Sequence, residues 1–200
     1  MKEAIISDLL ACKVAFDTLK LPWVVNDGIV LGYVREGDVI AWDTDVDTGI
    51  YVEISPEERQ RLVLALWNVG FSISSVDTDF MCAQRRVKFN LVLYHKKGDF
   101  YEQFPGTTPG VKFVEKAEWY DEPQMVKFLG SEYPMPNHLE DYLDHHYGTD
   151  WKVERFTHDA WRLEKFGTSS NRYEPDAWLN SRCGPNGDLW PKIIKREDTV

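Results

Sequence analysis

Apolar residues recur at helical spacing over the first twenty positions. Ile5, Leu9, Cys12 or Lys13, and Phe16 recur on one face, which predicts an amphipathic helix over 2–19. Leu21-Pro22 closes it, because proline disfavours helical backbone in the residue before it. Trp23-Val24-Val25 reads as a short buried strand, Gly28 to Val34 as a short helix or tight turn, and Gly37-Asp38 as a turn. Residues 45–53 return as a strand. Ser55-Pro56-Glu57-Glu58 has the form of a helix start: Ser55 caps, Pro56 suits the first helical position and Glu58 completes a capping box. That helix runs to about Asn68 and stops before Gly70.

Residues 71–77 and 85–94 read as strands. In the second, Val87, Phe89, Leu91 and Leu93 alternate along one face while Val92 and Tyr94 line the other, so both faces are expected to be covered. Residues 96–118 are punctuated by Gly and Pro, with a hairpin expected around Thr108-Pro109-Gly110. A short helix over 137–147 is expected to be capped by Asn137. The last stretch is tryptophan-rich with little periodicity and reads as irregular segments packed on the domain, with a mobile end near Lys195–Val200. Helices mixed with strands predict an α/β or α+β domain built on a mixed sheet.

Composition narrows the class. The chain has 200 residues, 43% of them hydrophobic and 14% aromatic, enough to bury a sizeable core. A net charge of −10 without a basic stripe excludes a general nucleic-acid binder. An acidic protein that handles an anionic substrate needs local Arg or Lys, or a metal. Cys12, Cys82 and Cys183 form no CxxC pair, so neither a zinc ribbon nor a disulfide framework is suggested and a reducing compartment is the simpler reading. Asp8 and Lys13 interrupt any signal-peptide core, and no run approaches the ~18–20 apolar residues of a membrane span, so a soluble cytoplasmic protein is expected. The absence of GxxxxGK[ST], GxSxG and HExxH removes several common enzyme classes.

Within this frame one segment stands out. Trp42-Asp43-Thr44-Asp45-Val46-Asp47 places aspartates at every second position. In an extended strand alternate side chains share a face, about 6–7 Å apart. Like charges there repel unless a proton or cation offsets them. Magnesium prefers one or two carboxylates plus substrate oxygens and water, and Asp45-Val46-Asp47 supplies such a pair. The plainer reading is an acidic turn, since aspartate favours loops. The apolar Gly49-Ile50-Tyr51-Val52 after the row argues for a strand instead.

The row follows a glycine motif, Asp27-Gly28-Ile29-Val30-Leu31-Gly32-Tyr33-Val34-Arg35-Glu36-Gly37, and the two together resemble the LicD family. That family includes bacterial phosphocholine transferases and fukutin-related ribitol-phosphate transferases. A second block is similar to it in the same order: Phe128-Leu129-Gly130, Pro134-Met135-Pro136-Asn137, Tyr142-Leu143 and Tyr147-Gly148-Thr149-Asp150-Trp151. The resemblance implies a nucleotidyltransferase-like domain over 1–155, with 156–200 as a C-terminal extension packed on it. It also implies transfer of a phospho-alcohol group from a CDP-linked donor to a saccharide hydroxyl with Mg²⁺ or Mn²⁺. Carried over, Asp45 and Asp47 are the metal pair, and Asp43 is a ligand, support or base. Arg35 contacts phosphate, and Gly28 and Gly32 shape the backbone around the donor.

Two positions depart from the family pattern. Ile29 stands where a threonine is frequent. In Val87-Lys88-Phe89-Asn90-Leu91, the neutral Asn90 stands where related folds place a third carboxylate. An asparagine cannot serve as a base at neutral pH. Elsewhere, His138, Asp141, Tyr142 and His145 share one face of the predicted helix; a zinc site is the sharper reading and a partly exposed polar face the plainer one. Arg85, Arg86 and Lys88 form a small basic cluster, read either as steering for a diphosphate or as a solvated strand end. Tyr147, Trp151 and Trp161 are aromatic candidates for stacking a base or sugar, against the commoner role of aromatics in the core.

Overall fold

The computed structural model describes residues 1–76, 79–103 and 113–154. The expected hairpin at Thr108–Gly110, Trp161, and the extension 156–200 with its end near Lys195–Val200 lie outside the described residues.

Helix α1 spans Lys2–Leu19; Ile5, Leu9 and Phe16 of the predicted stripe are fully buried, and Cys12 rather than Lys13 fills the position between Leu9 and Phe16. It ends at Lys20, whose left-handed backbone (φ 56°) returns its N–H to carbonyls of the last turn. Strand β1 (Val24–Val25) leads into helix α2 (Asp27–Glu36), which resolves the 28–34 segment as a helix. Strand β2 is Asp45–Ile50 and helix α3 is Pro56–Asn68. The capping box forms as its sequence dictates: the Glu58 N–H donates to Ser55 Oγ at 3.2 Å, and Ser55 N–H donates to Glu58 Oε2 at 2.8 Å.

Strands β3 (Ser72–Val76), β4 (Phe80–Gln84) and β5 (Lys88–Leu93) complete a five-stranded sheet in the order β1-β2-β5-β4-β3. Only β2 and β5 pair in parallel, Asp45 opposite Lys88 and Asp47 opposite Asn90. The sequence reading missed β4 and began the following strand too early. Arg85-Arg86-Val87 is a turn because the buried Asp8 of α1 captures it. Asp8 accepts from Arg85 Nη1 (2.7 Å), Arg86 N (2.8 Å) and Val87 N (2.9 Å). A buried carboxylate with three donors is well compensated, and here it ties α1 to the sheet.

Helices α1 and α3 pack together beside the sheet, where Leu62, Leu66, Phe71 and Phe89 close the core and the last two rings lie 5.0 Å apart. A second apolar centre is aromatic: Tyr51 stacks on Tyr94 (4.5 Å) and Tyr120 (3.7 Å). It joins the sheet to a three-stranded meander, β6 (His95–Lys97), β7 (Phe100–Gln103) and β8 (Phe113–Lys116), and to the short 3-10 turn Ala117–Trp119. A hairpin of β9 (Gln124–Phe128) and β10 (Ser131–Met135), also missed by the sequence reading, turns at Leu129-Gly130, both with positive φ.

Helix α4 is Leu139–Tyr147. Its N-cap is His138 rather than the expected Asn137, whose Oδ1 instead accepts the His138 N–H at 3.0 Å. Helices α2 and α4 are neighbours, and the site lies between them and the β2–β5 pair. Among the described residues no helix is long and apolar enough to cross a membrane.

Candidate active site

The first two residues of β2 that face the α2–α4 side are Asp45 and Asp47. Val46, between them, is fully buried. Strand alternation therefore delivers both carboxylates to one face as the sequence pattern predicts. Asp43 does not continue the strand. It lies in the turn before β2, where its Oδ1 accepts the Thr44 N–H at 2.8 Å. All three aspartates nonetheless line one cavity of about 380 Å³.

Asn90 stands beside the pair. Its Nδ2 donates to Asp47 Oδ1 at 2.9 Å and to Asp45 Oδ2 at 3.2 Å. The position flagged from sequence is thus next to the row, and a neutral amide fills it.

The charges are crowded. Burial, the neighbouring Asp45 carboxylate and a hydrogen bond shared with it push Asp43 up to about 7. Burial, then the Asp27 and Asp45 carboxylates, raise Asp47 well above the ordinary range. Such a group holds a proton or attracts a cation.

Among the described residues no three His, Cys, Asp or Glu side chains converge as a ready-made metal cage. The donor set still suits a hard divalent cation. Two carboxylate oxygens already meet on a single nitrogen, the Asn90 amide, beside an open cavity that leaves room for substrate oxygens and water. The zinc alternative on α4 does not assemble. Asp141 instead accepts from Lys116 Nζ (2.6 Å) and Trp119 Nε1 (2.9 Å).

The glycines play two parts. A Cβ on Gly28 would collide with the Asp43 carboxylate, so Gly28 admits that side chain to the cavity wall. A Cβ on Gly32 would meet Asp38 O at 2.5 Å and Ile40 N at 3.1 Å, so Gly32 lets α2 lie against the segment leading to the aspartates. Gly28 lines the cavity, whereas Gly32 packs behind it.

Arg35 lines the cavity from α2. Its Nη2 pairs with Glu36 Oε1 (2.6 Å) and its Nη1 donates to the Trp151 carbonyl (3.4 Å). The basic cluster of the sequence reading splits. Arg85 turns to Asp8 and Ser7, while Lys88 lines the cavity next to Asp45. Tyr147 and Trp151 also form its wall, Trp151 fixed by Nε1 donating to Asp144 Oδ1 at 2.7 Å.

The sequence reading did not single out Asp27 or His146. His146 Nδ1 lies 3.1 Å from Asp27 Oδ1, and Nε2 lies 2.9 Å from Glu115 Oε2. Burial alone would lower the imidazole, but the charge of Glu115 and hydrogen bonds to Asp27 and Glu115 raise it to about 9. His146 sits one position beyond the helix face weighed from sequence. Asp27 was legible as the residue before Gly28, while Glu115 carried no local signal.

The chain is similar to known proteins in sequence and in fold. The profile of the family described as LicD/FKTN/FKRP, nucleotidyltransferase domain, matches residues 20–138. The ribitol-5-phosphate transferase FKTN of Mus musculus is 24% identical over 163 residues, covering 75% of this chain. The chain spans about a third of that relative's length, 33%. In structure it is similar to the antibiotic-resistance factor ANT(2'')-Ia, with a TM-score of 0.50 at 14% identity, over 74% of this chain and 71% of the other. That likeness speaks for the nucleotidyltransferase-like fold, and the profile match covers more than half the chain. The protein belongs to the LicD/FKTN/FKRP nucleotidyltransferase-domain family.

Proposed function

We propose that the protein is a divalent-metal-dependent transferase that moves a phospho-alcohol group, of the phosphocholine or ribitol-phosphate kind, from a CDP-linked donor to a saccharide hydroxyl. The observation that carries this reading is the convergence of Asp45 and Asp47 beside an open cavity that also presents Arg35 and Lys88. The ribitol-5-phosphate transferase FKTN, to which the chain is similar, supports the reaction class.

Asp45 and Asp47 would hold Mg²⁺ or Mn²⁺. When bound, the ion offsets charge on the donor diphosphate. Arg35 and Lys88 offer positive charge to the same phosphates from α2 and from β5. Asn90 keeps the two carboxylates oriented through its amide. Trp151 and Tyr147 form an aromatic wall suited to the flat base or the alcohol.

The nucleotidyltransferase fold favours a second reading, transfer of NMP from an NTP to a small molecule. Product analysis separates the two, since CMP release marks the first and pyrophosphate release the second. The neutral Asn90 motivates a third reading, a non-catalytic module that binds nucleotide or glycan. Purified protein with Mn²⁺ and CDP-ribitol or CDP-choline is expected to release CMP when a saccharide acceptor is added. Asp45→Asn is expected to abolish release while melting at the wild-type temperature. Normal turnover by the folded variant would overturn the assignment of Asp45, and donor binding without turnover across acceptors would favour the third reading.

A further inference from the structure

The amide at position 90 cannot itself take a proton. A different carboxylate stands on the wall of the same cavity. The Asn26 N–H donates to the Asp47 carbonyl at 2.9 Å, so the next residue, Asp27, enters the site directly beside the row.

Asp27 is held from three directions. Its backbone is left-handed (φ 47°), a conformation uncommon outside glycine and costly enough to persist only where the surroundings enforce it. Its N–H donates to Tyr142 Oη at 3.0 Å. Its Oδ1 meets His146 Nδ1 at 3.1 Å. His146 is fixed in turn: its ring stacks on Tyr142 with centroids 4.1 Å apart, and Nε2 reaches the buried Glu115 at 2.9 Å. Tyr120 Oη donates to the same Glu115 oxygen at 3.3 Å. The result is a line from interior to cavity, Glu115 to His146 to Asp27. The imidazole is thus held between two carboxylates, Glu115 on its interior side and Asp27 on its cavity side.

We propose that Asp27 is the general base of the transfer, with His146 and Glu115 as positioning residues; this rests on the transferase reading above. The acceptor hydroxyl gives its proton to the Asp27 carboxylate as its oxygen bonds to the donor phosphorus. The bond from that phosphorus to the bridging diphosphate oxygen breaks, and CMP departs with the electron pair. Asp27 then returns the proton to solvent.

The test uses the full chain with Mn²⁺, CDP-ribitol or CDP-choline, and a series of methyl glycosides including fluorinated members with more acidic hydroxyls. Asp27→Asn is expected to lower kcat about 100-fold or more, the range of general-base catalysis, with Mn²⁺ binding and donor KM near wild type. Its deficit should shrink as the acceptor hydroxyl becomes more acidic, which a merely structural defect would not do. His146→Gln, which leaves the Asp27 carboxylate but loosens it, should lose about 10-fold in kcat at unchanged donor KM. Wild-type kcat in Asp27→Asn beside an inactive Asp45→Asn would overturn the base and leave the transferase reading standing. A deficit equal for all acceptors would also overturn it. If Asp27→Asn does not fold, unchanged kcat in His146→Gln overturns the positioning line, and a wild-type rate insensitive to acceptor acidity overturns the base. No CMP release by the wild-type protein from any donor and acceptor pair would overturn both proposals.

Discussion

Asp47 and Asn90 stand opposite each other on the parallel strands β2 and β5, joined by Asn90 Nδ2 donating to Asp47 Oδ1 at 2.9 Å. The amide is the neutral spacer of an acidic wall. Asn90→Asp replaces a donor with a third carboxylate within reach of Asp45 and Asp47. In EDTA the variant is expected to lose about 2 kcal/mol through the lost hydrogen bonds and added repulsion. Mn²⁺ should recover that loss and bind more tightly than to wild type. Melting curves with and without Mn²⁺ check this, and an Asn90→Asp protein as stable as wild type in EDTA would contradict it.

The two motif glycines should separate in experiment. Gly32→Ala drives a methyl into backbone atoms of Asp38 and Ile40, which cannot swing away. It is expected to cost about 2 kcal/mol of stability, typical of overpacking, as read by urea denaturation. Gly28→Ala meets only the Asp43 carboxylate, which can rotate. Its melting temperature should stay near wild type, while transfer falls by about 100-fold because a site carboxylate is displaced. Equal stability losses in the two variants would refute the distinction.

From sequence both glycines carry one role, shaping the backbone around the donor, and only the structure separates them. The Asp45–Asp47 pair was legible because strand alternation leaves a local mark, and the Ser55 capping box and the α1 stripe because capping and helical spacing do the same. Asp43 was misplaced in the strand because a turn and a strand end share an Asp-rich composition. Strand β4 and the β9–β10 hairpin were missed because Phe80–Gln84 and Gln124–Phe128 alternate weakly. The Glu115–His146–Asp27 line was beyond reach from sequence. It joins residues up to 119 positions apart through tertiary packing, and a single histidine on a polar helix carries no mark of its partners.

The Lys88 side chain forms no hydrogen bond or ion pair among the described residues, although it lines the cavity beside Asp45; Arg35 is already engaged with Glu36 and Trp151. Its ammonium is therefore available to a phosphate. Lys88→Ala is expected to raise donor KM about 10-fold, the scale of one charged hydrogen bond, with kcat altered less. The effect should weaken at high salt, since the residue is exposed. An unchanged KM would place the donor phosphates elsewhere.

Metal binding should show its pH dependence through Asp43. Its folded value is about 7 against an ordinary 3.8, so between these the folded state holds a proton that the unfolded chain has lost. Stability from this group therefore falls as pH rises from about 4 to 7 and stays low above. A divalent cation on Asp45 and Asp47 offsets the same repulsion. Mn²⁺ is expected to raise the melting temperature more at pH 8 than at pH 5, where protons compete for the carboxylates. Equal shifts at the two pH values would argue against a metal at the row.

His146 predicts a second pH dependence, in an alkaline window. Its folded value, raised to about 9, exceeds the ordinary 6.5 because Glu115 and Asp27 stabilise the imidazolium. The stabilisation is complete below 6.5 and is lost as pH climbs through about 9, amounting to something on the order of 3 kcal/mol. Asp43 finishes its own change by about 7, so the two contributions part above that value. Urea denaturation at pH 7.5 and 9.5 should show wild type losing stability while His146→Gln stays nearly level. Since a neutral glutamine can bridge Asp27 and Glu115 only as a weak donor, the variant should also be less stable than wild type at pH 6.5 and approach it at pH 9.5. Parallel curves for the two proteins would show that His146 is not the charged link between Glu115 and Asp27.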